Sequence, residues 1–316
     1  MTVNAVGIYE KALPQGLSWE EMFTLVHDLG FNFLEFSIDE SDERLARLSW
    51  TRGERESFRQ AMWKTGNRIN TLMLSGHRRY PLGAKDPEVR AKALEMMQQA
   101  IDLAVDLGIR NIQMAGYDVY YEPKTAMSRE WYIENLAKCV HMAAKKMVML
   151  SVETMDDPFL NSIEKIDYLK TQIHSPFLQA YPDVGNLSAW PEVDVAKDIE
   201  RYINDIVAVH LKDTEPVTTT SQGKFKEVPF GDGTVDFEAC LRIFKRLQYN
   251  GSFTIEMWTS TASDPVAEVR KAKAYFDELF DKVGIRQEPV VGKDQFAYNT
   301  GLAGRAGMMP HAYGIA

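Results

Sequence analysis

Eight times in succession a short, largely apolar run gives way to a helix-like pattern, and this alternation restricts the fold more than any other feature of the 316 residues. Residues 5–9, 33–38, 69–74, 109–115, 148–153, 178–183, 206–210 and 252–256 read as strands. Between them lie helical patterns with recognisable ends. Ser18 is placed to cap a helix that stops at Gly30; residues 52–64 are closed by Gly66, and the long segment after Pro87 by Gly108. Ser128 is expected to cap the next helix and Ser162 the one after. Residues 193–203, a segment from about Asp236, and 265–283 complete the set. With no second composition regime among these units, residues 1–286 are expected to form one (β/α)8 barrel, an α/β fold with a parallel sheet.

Four of the apolar runs end in a group that binds metals. SVETMD carries Glu153, QAYPDVGNLSAW carries Asp183, IVAVHLKD carries His210 and FTIEMW carries Glu256. From Glu153 to Asp183 is 30 residues, to His210 a further 27, and to Glu256 a further 46. Each step is about one βα unit, the last stretched by the loop TEPVTTTSQGKFKEVPFGDG, so strands five to eight are expected to deliver one ligand each to the same rim. Three carboxylates and an imidazole suit one divalent ion, Mn, Mg, Co or Zn, with room for a bidentate substrate. Such an ion suits proton abstraction beside a carbonyl: it can hold the C2 carbonyl and C3 hydroxyl of a 2-ketose and stabilise the enediolate. Glu153 and Glu256 are the pair expected to exchange the proton on opposite faces of the sugar.

Other rim residues are candidates for holding substrate. The basic run His77, Arg78, Arg79 can meet an anion, and the backbone of Gly231–Asp232–Gly233 can offer N–H groups to a phosphate. Lys11, Asn186 and Lys212 lie near strand ends, and Tyr117, Tyr120, Tyr121 and Trp258 can wall a pocket. Asp156 and Asp213 also follow strands, but read as supporting groups or caps.

A net charge of −9 and a pI of about 5.3 argue against nucleic acid or an anionic membrane surface as partner and favour a small molecule. The two cysteines, Cys139 and Cys240, fall in helical patterns without metal-ligand spacing. No basic-then-apolar leader opens the sequence, and a cytoplasmic location is expected. The segment 287–316, with GLAGRAGMMPHAYG and no helical period, is expected outside the barrel, disordered or docked on a partner; a homodimer is compatible with this layout.

The motifs GIYEKALP, IDESDERLARLSW, LSGHRRYPLG, AGYDVYYE, YPDVGNLSAW, AVHLKDT, VPFGDGTVDF and IEMW resemble those of the L-ribulose-5-phosphate 3-epimerases, also called L-xylulose-5-phosphate 3-epimerases. These belong to the wider xylose-isomerase-like barrel superfamily. The resemblance spans about residues 6–283 and implies the same Glu153, Asp183, His210, Glu256 ligand set, with the two glutamates as proton-transfer groups. It also implies a sugar phosphate substrate. The loop around VTTTSQGKF is longer than in that pattern, and the tail has no counterpart in it. Competing readings are a 3-epimerase or isomerase of an unphosphorylated ketose, and a barrel that binds a sugar phosphate without turnover. A multi-zinc abasic-site nuclease would need more than the six histidines here and a basic groove.

Overall fold

The computed structural model of the chain describes residues 2–290. Eight parallel strands form its main sheet: β1 (Val6–Tyr9), β2 (Phe33–Ile38), β3 (Ile69–Leu74), β4 (Asn111–Ala115), β5 (Met149–Glu153), β6 (Leu178–Tyr181), β7 (Ala208–Leu211) and β8 (Ser252–Ile255). β1 to β6 pair in chain order, and β8 pairs with both β1 and β7. The last seam, β6 to β7, is closed by isolated bridges, Ala180 to Ile206 and Asp183 to His210. Pro182 explains the broken ladder there. It has no N–H to donate, although its carbonyl still accepts from the His210 N–H at 2.9 Å.

The outer layer comprises α1 (Trp19–Asp28), α2 (Arg52–Thr65), α3 (Pro87–Leu107), α4 (Ala126–Ala144), α5 (Ile163–Ile173), α6 (Val195–Tyr202), α7 (Phe237–Arg246) and α8 (Pro265–Val283). Each starts at a side chain that accepts a first-turn N–H: Ser18, Thr51, Asp86, Thr125, Ser162, Asp194, Asp236 and Asp264. At α4 the expected cap moves. Thr125 holds that position, and Ser128 is its reciprocal partner three residues in, its hydroxyl accepting the Thr125 N–H. The long polar loop after β7 contains a small antiparallel hairpin, Glu215–Val217 with Gln222–Lys224.

Period-two alternation sorts the strand residues. Ile8, Leu34, Phe36, Leu72, Ile112, Leu150, Val209 and Phe253 join the apolar layer between sheet and helices. The intervening positions face the axis and are largely polar. Tyr181 on β6 bonds Glu35 on β2 at 2.8 Å and Thr254 on β8 at 3.0 Å, a meeting that only a barrel interior allows. A register shift between β2 and β3 sits at Glu35, where Leu34 opposes Ile69 but Phe36 opposes Leu72; such a bulge re-aims a side chain. Phe33 fills the interior beside Gly7. A Cβ at Gly7 would lie 2.1 Å from the Phe33 ring, so only glycine leaves room for it.

Just past the expected boundary at residue 286, the chain returns to its start. Arg286–Gln287 pairs in parallel with Val3–Asn4, and the Glu288 carboxylate accepts two hydrogen bonds from Arg68 at 2.9 and 2.7 Å. The expectation for residues 291–316 lies outside the described residues.

Candidate metal centre and active site

Glu153 ends β5, Glu256 directly follows β8, and His210 lies within β7, so parallel strands deliver all three to the same end of the barrel. Asp183 arrives differently. It is the N-cap of the short helix Val184–Ser188, and its Oδ1 accepts the Asn186 N–H at 2.9 Å. That duty fixes the carboxylate and leaves Oδ2 for the site. One ligand atom from each of the four residues lies within 4.8 Å of the others, and all four residues are buried.

The donor set fits a metal ion. Asp183 Oδ2 and Glu256 Oε2 accept no well-aligned hydrogen bond; both face the Lys212 ammonium, at 2.7 and 3.2 Å. Hard carboxylate oxygens crowded together this way call for positive charge between them. Without it, protons and Lys212 supply that charge. Burial pushes the Asp183 carboxyl up to about 7 against the opposing pull of Lys212. Burial also opposes ionisation of Glu256, but Lys212 and His210 hold it down at about 2. On His210 burial disfavours the charged form, yet Glu35, Glu256 and Glu153 outweigh it and hold the imidazole above its usual range.

The orientation of His210 is fixed from both sides. Nδ1 faces Glu153 Oε1 at 2.8 Å and Glu256 Oε2 at 3.5 Å, while Nε2 bonds Glu35 Oε2 at 2.8 Å. With the proton on Nε2, Nδ1 presents its lone pair to the ligand cluster, the usual arrangement of a carboxylate behind a metal-binding histidine. Glu153 is held in the same way, its Oε2 accepting from Gln113 Nε2 at 2.5 Å. Sequence reading missed both supporting residues. Their signal was present: Glu35 and Gln113 are polar residues inside the apolar runs FLEFSI and NIQMA.

Of the proposed substrate-binding residues, Lys11, Arg78, Asn186, Lys212 and Trp258 line one cavity with Glu153 and Glu256. Asn186 donates to the Thr154 carbonyl at 2.7 Å, which leaves its buried Oδ1 unpartnered and free to accept from a ligand hydroxyl. Lys11 pairs with Asp39. Trp258 packs edge-on against Tyr9, 5.8 Å between ring centres. The structure does not bring His77 to this cavity. Its ring is buried, Nε2 lies 3.3 Å from the Ala93 carbonyl on α3, and burial lowers its pKa to about 4, so the ring is neutral. Arg79 turns outward to Asp42 at 2.5 Å. Only the middle residue of the basic run reaches the site.

The Gly231–Asp232–Gly233 loop serves another purpose than the one expected. The Gly231 and Gly233 N–H groups donate to Asp213 Oδ2 at 2.9 and 3.2 Å, so they are spent on shaping the loop after β7. Of the aromatic residues after β4, Tyr117 and Tyr120 stack around Arg78, whereas Tyr121 is exposed and bonds Glu40 at 2.9 Å. Asp156 accepts the Tyr117 hydroxyl.

Comparison with known proteins bears on the fold and the family. A family model described as xylose isomerase-like TIM barrel matches residues 23–279. The L-ribulose-5-phosphate 3-epimerase UlaE of Escherichia coli is 48% identical over 280 residues, which covers 89% of this chain and 96% of that one. A solved L-ribulose 3-epimerase superposes with a TM-score of 0.69 at 18% identity, over 98% of this chain and 100% of that one. D-psicose 3-epimerase from Clostridium cellulolyticum H10, solved with D-tagatose, gives 0.71 at 15% identity, over 87% and 98%. These two share the fold. From the family match and the 48% identity, the chain belongs to the xylose isomerase-like TIM barrel family and is a relative of the L-ribulose-5-phosphate 3-epimerases.

Proposed function

We propose that the protein is an isomerase that inverts C3 of a ketopentose 5-phosphate, interconverting L-ribulose 5-phosphate and L-xylulose 5-phosphate. The observation that carries this reading is the pair of glutamates, Glu153 and Glu256, reaching one cavity from β5 and β8 with a metal-competent cluster between them. Inversion at carbon needs a base on one face and an acid on the other, and mere binding of a sugar needs neither. Glu153, Asp183, His210 and Glu256 would hold a divalent ion, Mn, Mg, Co or Zn, which would supply positive charge to offset the negative charge that develops when a proton leaves carbon beside a carbonyl.

The chain's own groups do the rest. One glutamate takes the C3 proton and the other returns a proton to the opposite face. Gln113 donates to Glu153 Oε2 at 2.5 Å and so fixes its approach to carbon. The Lys212 ammonium, 3.2 Å from Glu256 Oε2, keeps Glu256 ionised and able to accept a proton. Asn186 Oδ1 is placed to accept from a sugar hydroxyl, and Trp258 walls the cavity beside Lys212, whose ammonium lies 6.0 Å from its ring centre.

The activity is assigned to the barrel of residues 1–286. The cytoplasm, where phosphorylated sugars are retained, fits this substrate; separately, no helix among the described residues is long and apolar enough to cross a membrane. The test is exchange in D2O: metal-loaded protein with L-ribulose 5-phosphate should place deuterium at C3 and yield L-xylulose 5-phosphate by NMR. Exchange on free L-ribulose alone would give the site to an unphosphorylated ketose. Binding of the phosphate ester with no exchange would make the barrel a sensor.

A further inference from the structure

Two cavities meet at the end of the barrel that carries the four-residue cluster, and their sizes are unequal. The one lined by Glu153, Asn186 and Glu256, where the reacting carbons must lie, has a volume of about 30 Å³. That is room for about two or three waters, whereas sites for small ligands usually run to about 300–1,000 Å³. The second, of about 370 Å³, lies between the loop after β7, the loop after β8 and α8, with Phe230, Met257, Thr261, Lys271 and Tyr275 among its walls. Lys212, Glu256 and Trp258 line both. Lys212 and Glu256 are buried and tied to each other at 3.2 Å. Trp258, half-buried on the loop after β8, is therefore the side chain that divides the two spaces.

Even a ketopentose must extend out of so small a space, and it has few directions to take. Tyr9, Met73 and Glu153 stand on β1, β3 and β5 and cannot retreat without breaking the sheet. What remains is the opening beneath the hairpin loop, where Phe225 stands, and the side closed by Trp258. Trp258 is braced as a fixed wall. The backbone is anchored on both sides of it, by the Glu256 N–H donating to the Leu211 carbonyl at 3.0 Å and the Thr259 hydroxyl donating to the Ala12 carbonyl at 3.0 Å. Its ring meets Tyr9 edge-on, 5.8 Å between centres, and the ammonium groups of Lys212 and Lys226 lie 6.0 and 5.5 Å from its centre. A ring held on its edge and by cations in this way resists being pushed aside.

We propose that Trp258 sets the length of the sugar: it closes the larger chamber to the substrate, so that a ketopentose ester is seated and a ketohexose ester, one carbon longer, is turned away. A five-carbon chain uses the opening beneath the hairpin alone, whereas a sixth carbon needs the sideways room behind the indole. The proposal rests on the epimerase reading for the reaction. Its own content is steric, a single side chain standing between the reacting groups and a chamber large enough for more substrate.

The experiment compares wild type, Trp258→Phe, Trp258→Ala and Phe225→Ala in the metal-loaded full chain, each with L-ribulose 5-phosphate and with D-tagatose 6-phosphate. The second ester has the same configuration at C3 and C4 and one carbon more. Its closure to a furanose is a property of the sugar and cancels when variants are compared. Wild type should favour the pentose ester. Trp258→Ala should cut the pentose-to-hexose ratio of kcat/KM by about ten- to a hundredfold, the scale on which a pocket accepts or refuses one carbon, with Trp258→Phe in between. A merely packing role would lower both substrates together and leave the ratio standing in both Trp258 variants, which would overturn the proposal. So would a wild type that takes the two esters equally, or a ratio that collapses in Phe225→Ala instead, since the hairpin would then be the limiting wall. In a protein that turns over neither ester, the ratio of their dissociation constants by calorimetry is read in the same way. Relaxation in Trp258→Ala upholds the wall and an unchanged ratio overturns it, so the two readings fail separately.

Discussion

Glu35 is the residue whose removal most directly tests how the metal centre is held. Its Oε2 accepts from His210 Nε2 at 2.8 Å and its Oε1 from the Tyr181 hydroxyl at 2.8 Å, all in the dry interior of the barrel. Glu35→Gln keeps the shape and can keep an acceptor toward Nε2, but removes the charge. A hydrogen bond to an ionised group contributes roughly 1.5–3 kcal/mol and a neutral one about 1, so the change withdraws about 0.5–2 kcal/mol from the correctly oriented imidazole. Converted at about 1.4 kcal/mol per decade, that is about a two- to thirtyfold loss of metal affinity. Its upper end overlaps the range of about 10–100-fold found when such partners of metal-binding histidines are changed. The assay is competition for Co²⁺ or Mn²⁺ against a chromophoric chelator at pH 7.5, with thermal unfolding of the metal-free variant as control. Tyr181→Phe, which removes only the second hydrogen bond on Glu35, should show a smaller loss. Wild-type affinity in Glu35→Gln, with the fold intact, would mean that Nε2 needs no carboxylate and that the ligand geometry rests on backbone alone.

Glu153→Gln and Glu256→Gln should each slow C3 exchange in D2O by about 10²–10⁴, the range for a lost general acid or base; exchange surviving within tenfold in either would remove that residue from proton transfer. His77 should titrate near pH 4 by NMR. Because the unfolded imidazole takes up its proton near 6.5, stability is full above that pH and declines as pH falls toward about 4, by up to about 3 kcal/mol. His77→Gln should flatten that slope, and a titration midpoint near 6.5 would show the ring to be solvated. Gly7→Ala forces a Cβ to 2.1 Å from the Phe33 ring and should cost about 1–3 kcal/mol in urea unfolding, partly recovered by Phe33→Leu; an unchanged midpoint would show that the barrel floor yields freely.

The barrel and the four residues that cluster at its end were readable because both are written in short-range pattern. A polar group closing an apolar run stands out at β5, β7 and β8, and Asp183 stood out through the proline and helix start around it. Glu35 carries the same signal at the third of the six positions of FLEFSI, yet a search confined to strand ends passes over it. The basic run could not be resolved in sequence, because the tight turn Gly76–Arg78 sends neighbouring side chains to different surroundings: His77 to α3, Arg78 to the tyrosines, Arg79 to solvent and Asp42. Lys226, which lines the cavity with Glu153 and Glu256, was out of reach for another reason. Its position depends on a hairpin and on a contact between Phe225 and Trp190, residues 35 apart in chain order, and no local composition encodes that meeting.

The Pro182 seam has a mechanical consequence. Asp183 belongs to the β6 side of that gap and His210 to the β7 side, and in place of a continuous ladder the backbones there meet at two isolated bridges. A barrel under thermal load parts first along its least stitched joint. An ion gripped by both residues would work as a rivet through it, tying the hoop closed at the place where the backbone leaves it loose. Amide exchange at His210 therefore becomes a strain gauge for loading: quick while the hoop can spring, slow once it is fastened.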